Sequence, residues 1–368
     1  TLFIACSDAN AVAVADITED RARVRGFVPA GWYPTAVRSM RDGKLLIFNG
    51  KGQGSYPTTF QGPALPRGAS ASAKQADRAQ FVGSKQAGSI SMVNPFDEDT
   101  LAAYTKTVLA LSPYRDEKLD VASLGESVLV SRPGRPSPIQ HVVYIIKENR
   151  TYDQVFGKIG KGDGDPSLTL FDESVAPNHY KLAREFVLFD NFYVNADVSA
   201  EGHNWSMAGI APDYTVKLWP QEYAGRSKRY DWEGGEPGNL PPAGYIWTNA
   251  MAAGLSVRNY GEWVWEDKDT PRHANDPSLV GITNLKYKGY DLDYPDVERA
   301  KVYLEDLKQY EASNSMPRLT ILRLGNDHTY GTTPGKLTPS ALFADNDLAL
   351  GMIVEAISKS RFWSSTAI

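Results

Sequence analysis

The run His141-Val142-Val143-Tyr144-Ile145-Ile146 constrains this chain more than any other stretch. Apolar and rich in β-branched residues, it reads as a strand buried in a parallel sheet. It then breaks into Lys147-Glu148-Asn149-Arg150-Thr151, too polar for a sheet interior. Ligands of open α/β sheets bind beyond the carboxyl ends of the strands. A carboxylate and a carboxamide at such a place suit a hard cation or a zinc-class metal. A plainer reading is also open, in which Asn149 or Thr151 caps a following helix.

At 368 residues the chain exceeds what one core usually supports, so two domains are expected. The net charge of −5 and the lack of a basic run speak against a nucleic-acid surface. No apolar stretch is long enough for a transmembrane segment. Cys6 stands alone, which excludes an intrachain disulfide and a cysteine-based metal cluster. Thr1 and Thr366-Ala367-Ile368 both fall in strand-like runs, and the chain reads as a piece of a longer one.

Residues 1–130 read as β structure. Leu2–Cys6, Ala11–Asp16 and Leu45–Phe48 are predicted strands, with Arg41-Asp42-Gly43-Lys44 as a hairpin turn. Residues 88–94 echo residues 10–16, and a recurring strand–turn–strand unit marks propeller blades, although a small sandwich or sheet would leave the same trace. Residues 51–87 are rich in Gly, Pro, Ser, Ala and Gln and read as a long loop. A helix is expected from Glu98 to about Leu111, and the Pro-rich stretch within 131–140 reads as a linker. Residues 141–368 alternate predicted strands (142–146, 186–193, 319–324) with helices (180–186, 296–310, 345–358), which implies a mostly parallel sheet flanked by helices. Insertions at 221–244 and 262–295 are expected to cover a site. Lys161-Gly162-Asp163-Gly164-Asp165 lacks EF-hand spacing and reads as a solvated loop.

Four segments carry a resemblance. They are Ile146 through Gly157, Leu188-Phe189-Asp190-Asn191-Phe192-Tyr193, Gly325-Asn326-Asp327-His328 through Pro334-Gly335, and Asp345-Asn346-Asp347. In this order, across 141–368, they resemble the phosphoesterase family of acid phosphatases and phospholipase C enzymes, in the alkaline phosphatase superfamily. Residues 1–130 are similar to the last blades of a YVTN-like β-propeller of the kind fused upstream of that family. The resemblance implies an alkaline phosphatase-like α/β domain after an all-β propeller-like segment. It implies a bacterial extracytoplasmic protein, periplasmic or secreted, acting on a phosphate-ester substrate, with a protein partner for the propeller part.

It also implies a divalent metal ion of the zinc, calcium or magnesium class. Glu148 and Asn149 are its implied ligands, and Asp327 joins them if the loop reaches. Asp327-His328 matches the family's segment near the substrate phosphate; otherwise Asp327 caps the turn before Thr329 and His328 is a satisfied buried histidine. The family's nucleophile follows a run of small residues. Aligned on Ala196-Asp197-Val198, its slot holds Gly202, followed by His203. Ser199, three residues earlier, becomes the candidate nucleophile if the loop is rearranged, with Ser206 a weaker choice. Attack by metal-bound water and loss of hydrolysis stay open. His203 either binds metal or phosphate or packs beside Trp205. The family's Glu-Asp-Asp cluster follows a strand that begins at Thr366-Ala367-Ile368, so these 368 residues are expected to bind metal weakly or not at all. The expected function is a metal-dependent hydrolase of phosphate mono- or diesters. The alternative is a degenerate phosphoesterase domain serving in binding or cell-surface interaction.

Overall fold

The computed structural model describes residues 1–52, 87–112, 137–223 and 234–368. Most of the expected 51–87 loop, the first part of the linker and part of the 221–244 insertion lie outside them. The chain divides into two compact units.

In the first unit, β1 (Leu2–Cys6), β2 (Ala11–Asp16) and β3 (Arg23–Pro29) form an antiparallel sheet in the order β1-β2-β3. A second antiparallel sheet joins β4 (Pro34–Ser39), β5 (Leu45–Asn49) and β6 (Ser89–Val93) in sequence order. The tight turn before β5 uses Gly43 at φ 81°, a conformation that suits glycine. Helix α1 (Glu98–Leu111) starts at the Asp97 cap, whose carboxylate accepts from the Thr100 amide. Its Leu101 joins Val12, Val14, Val28 and Ile47 in one core. Gly26 permits the close approach, since a Cβ there would lie 2.5 Å from Thr105 Oγ1. Two three-stranded meanders are thus present, and β3 was not expected from the sequence.

The second unit is mixed α/β. Its four-stranded sheet contains β7 (His141–Ile146), β8 (Val257–Tyr260), β11 (Leu319–Arg323) and β12 (Thr366–Ala367), all parallel, in the order β12-β7-β11-β8. A short hairpin of β9 (Val264–Trp265) and β10 (His273–Ala274) lies apart from this sheet. The helices are α2 (Tyr152–Phe156), α3 (Pro177–Glu185), α4 (Ser199–Ala208), α5 (Asp213–Tyr223), α6 (Ile246–Ala252), α7 (Asp296–Ser313) and α8 (Pro339–Lys359).

The sheet is covered on both faces, as an all-parallel sheet requires. On one face Tyr303 and Leu307 of α7 and Ile353 and Ile357 of α8 pack with Val143 and Leu322. On the other, Met207 of α4 and Trp247 of α6 pack with Ile146, Leu319 and Ile321. Every residue of β11 is therefore buried.

Three expectations change. Residues 186–193 form no strand. They have no ladder partner among the described residues, and Phe186, Val187, Phe189, Phe192 and Tyr193 stand exposed; local β propensity does not make a strand without a neighbour. The predicted helix at 345–358 begins at Pro339, because Thr338 caps it and proline suits the first turn. The helix expected at 180–186 starts at Pro177. Thr151 does cap α2, and with Gln154 it forms a reciprocal capping box.

The polar triplet Asp345-Asn346-Asp347 lies inside α8 and ties three elements together. Asp345 Oδ2 accepts the first amide of α7, from Asp296, at 2.6 Å, and Asn326 Nδ2 at 3.0 Å. Asn346 Nδ2 donates to Asp296 Oδ2 at 2.8 Å, and its Oδ1 accepts from Lys147. Helix α3 has no cap of its own. Asp347 supplies one by accepting the amides of Asn178 and His179 at 3.1 and 2.9 Å, and the His179 Nδ1–H at 2.6 Å.

Asp347→Ala removes this cap and leaves His179 without its acceptor, so a loss of about 3 kcal/mol is expected in urea unfolding. Burial pushes the His179 imidazole down to about 4 in spite of Asp347. The unfolded chain, with an ordinary histidine near 6.5, therefore takes up that proton first. The stabilisation is complete above pH 6.5 and is lost as pH falls from there toward 4, by about 3 kcal/mol in total. The urea midpoint of wild type should fall across that window, and His179→Gln should lack this part of the slope.

Candidate active site at the carboxyl edge of the parallel sheet

Three adjacent parallel strands each deliver a carboxylate just past their ends. Glu148 follows β7, Glu262 follows β8 and Asp327 follows β11. Strand alternation sets the rest: Arg323 shares its face with Leu319 and Ile321, the face covered by α4. The α4 helix brings Ser199 at its first position and His203 one turn on.

These residues form one buried charge cluster. Glu148 Oε1 lies 2.9 Å from Arg323 Nη2 and 3.4 Å from His203 Nε2. Its Oε2 accepts the Ser199 hydroxyl at 2.9 Å. His203 Nδ1–H donates to Glu262 Oε1 at 2.7 Å. Arg323 Nη1 stands 3.9 Å from Glu262 Oε2, and its guanidinium lies over the Tyr290 ring at 5.0 Å. The side chains of Glu148 and Arg323 are 2% and 7% exposed, which removes them from solvent screening.

Burial opposes charge throughout, and the pairing outweighs it at two groups. Glu148 is desolvated, yet the His203 hydrogen bond and the Arg323 guanidinium hold its carboxyl well below the usual carboxylate range. Burial favours a neutral His203, but Glu262 and Glu148 raise the ring to about 9, so it is cationic at neutral pH. Asp327 goes the other way, because burial raises its carboxyl.

Asp327 is a brace for this centre. Both of its oxygens accept the Glu148 amide at 3.2 Å, and Lys147 Nζ lies 3.5 Å from Oδ2. Arg150 secures the same loop by donating to the Asp327 and His328 carbonyls at 2.7 Å each. The ring of His328 is half-buried, with Nδ1 at 3.0 Å from the Thr329 carbonyl and its edge against Tyr290.

Of the residues singled out by sequence, Glu148, Ser199, His203 and Asp327 come together. Asn149 is exposed on the loop, and Ser206 is exposed on α4. Gly202 lies within α4 between Ser199 and His203. Sequence reading passed over Arg323 and Glu262. An arginine on the inward face of an apolar strand is a usable signal for the first. The second follows a four-residue strand too short and too polar to be recognised.

Among the described residues, no group of three or more His, Cys, Asp or Glu side chains is disposed to hold a metal ion. Glu148 has both oxygens engaged, and Asp327 is turned to a backbone amide and Lys147. As folded, these residues do not present the set of open oxygens that a divalent cation needs. No family model matches the chain, and a search of curated proteins finds no match. No described helix is long and apolar enough to cross a membrane.

Glu148→Ala leaves Arg323 and His203 buried without their shared acceptor. A loss of about 3 kcal/mol in urea unfolding is expected, whereas a loss near zero would mean that the cluster is hydrated.

Proposed function

We propose that the second unit is a hydrolase of phosphate mono- or diesters with Ser199 as its nucleophile. The reading is carried by one observation: Ser199 Oγ sits at the first position of α4, 2.9 Å from Oε2 of Glu148, whose Oε1 faces the buried cations Arg323 and His203. A hydroxyl at a helix N-terminus, next to a guanidinium and an imidazolium, suits attack on an anionic phosphorus centre. Ser199 Oγ attacks phosphorus, and its proton passes to Glu148. The bond to the ester alcohol breaks as His203 gives that oxygen a proton. Water then releases the phosphoryl group from Ser199. Such transfers depend chiefly on positioning and charge, so a weakly basic Glu148 suffices.

The motif resemblance supports the same reading. It suggests an alkaline phosphatase-like domain, in keeping with the parallel sheet and its polar carboxyl edge, and it likens the two meanders of the first unit to parts of a propeller. From it also come the extracytoplasmic location, a protein partner for the first unit, and a divalent cation at Glu148 and Asn149. A second reading, an unreactive binding domain, is favoured by the full engagement of Glu148 and by Gly202 in the family's nucleophile slot.

An aryl phosphate and an aryl phosphodiester, assayed with wild type and Ser199→Ala, separate the two. Hydrolysis of either by wild type, falling at least about 10³-fold in the variant with its fold retained, is the expected result. Full activity of Ser199→Ala would move the attack to water. An inert wild type would favour the binding role.

A further inference from the structure

We infer that Tyr290 and His328 form an aromatic corner that takes a flat aromatic group on the alcohol side of the ester, as in a phenolic ester, and so sets the substrate preference of the site. The inference rests on the proposed reading of Ser199 as the group that meets phosphorus, and it is tested by binding rather than by turnover. Tyr290 stands in the insertion between β10 and α7, and His328 follows β11. Their rings meet nearly at right angles, with centroids 5.7 Å apart and planes at 81°. The Arg323 guanidinium covers one face of Tyr290 at 5.0 Å. Tyr290 is still 40% exposed, so its other face is open to solvent. Only that guanidinium stands between the ring and Glu148, whose second oxygen holds Ser199. An alcohol carried by phosphorus at Ser199 therefore lies within reach of the corner.

The corner is held from behind. A Cβ at Gly325 would come within 3.2 Å of Tyr290 Cδ2, so glycine lets the loop after β11 lie close against the ring. Arg150 clamps the Asp327 and His328 carbonyls, and its Nη2 also donates to the Thr329 hydroxyl at 3.1 Å. Thr329 itself sits at φ 62° and ψ 168°, a conformation that is costly for a β-branched residue. Such backbone persists only where the surroundings impose it, and here it fixes the His328 ring next to it. Neither His328 nor the open face of Tyr290 takes part in the chemical steps described above. A flat ring can stack on Tyr290 and meet His328 edge-on, and such contacts add to what burial alone contributes. A saturated ring of the same size gains the burial without them.

The test is titration calorimetry of the full chain with phenylphosphonate and cyclohexylphosphonate, which share an anionic head and a ring of similar size. Wild type, Tyr290→Phe, Tyr290→Leu and His328→Ala are compared, with circular dichroism to verify folding. Wild type and Tyr290→Phe should bind phenylphosphonate about fivefold more tightly than cyclohexylphosphonate. The preference should be lost in Tyr290→Leu and reduced in His328→Ala. A full preference in either of these two variants would overturn the proposal, as would a wild type that binds both compounds alike or neither. If Tyr290→Leu does not fold, nuclear Overhauser contacts between the phenylphosphonate ring protons and the Tyr290 ring in wild type decide. Their presence supports the corner, and their absence overturns it. Hydrolysis of phosphate esters without a ring preference would keep the enzymatic reading and sink this inference. A ring preference in a chain that hydrolyses nothing would do the reverse.

Discussion

The second unit depends on the buried carboxylate of Asp296. It opens α7 and accepts from four directions: the amides of Gly325 and Asn326 at 3.3 and 2.8 Å, Arg299 Nη1 at 2.8 Å, and Asn346 Nδ2 at 2.8 Å. One fully buried group thus joins α7, α8 and the loop that leaves β11. That loop carries Asp327, and Asp327 fixes the backbone of Glu148. A buried carboxylate is tolerable only when it is paired and hydrogen-bonded, and here the partners are the parts that need to be held.

The same economy of charge governs the candidate site. Glu148 and Glu262 face Arg323 and His203, two anions against two cations, in a volume from which water is largely excluded. A cluster of this kind contributes little net stability, since desolvation offsets most of the attraction. What it provides is geometry. The Ser199 hydroxyl and the His203 ring have defined partners, so their orientations are set before any ligand arrives.

Much of this was legible in the sequence where local pattern and tertiary role coincide. The apolar runs of β7 and β11 announced buried strands, and their abrupt polar ends announced the sheet edge. Asp345-Asn346-Asp347 stood out as a motif, yet its function of tying helices together is invisible without the fold. The stretch 186–193 misled because its aromatic and apolar residues suit a strand, while a strand exists only with a neighbour. Arg323 left a local signal as the one charge in an apolar strand, but its partner Glu262 left none, because their pairing spans 61 positions, 262 to 323, which no local window contains.

The strand order carries a kinetic consequence. Because β7 lies beside β11, Val142 pairs with Leu319, and the two must find each other across most of the unit. Loop-closure entropy is spent before any ladder bond is returned, so this pairing belongs to the slow, late part of folding. Every functional side chain gathered here waits on that event. A nascent chain lacks Arg323 and Asp327, the partners that hold the Glu148 side chain and backbone, until the last third of the unit is being made. The candidate site therefore assembles together with the core, and an unfinished chain presents neither.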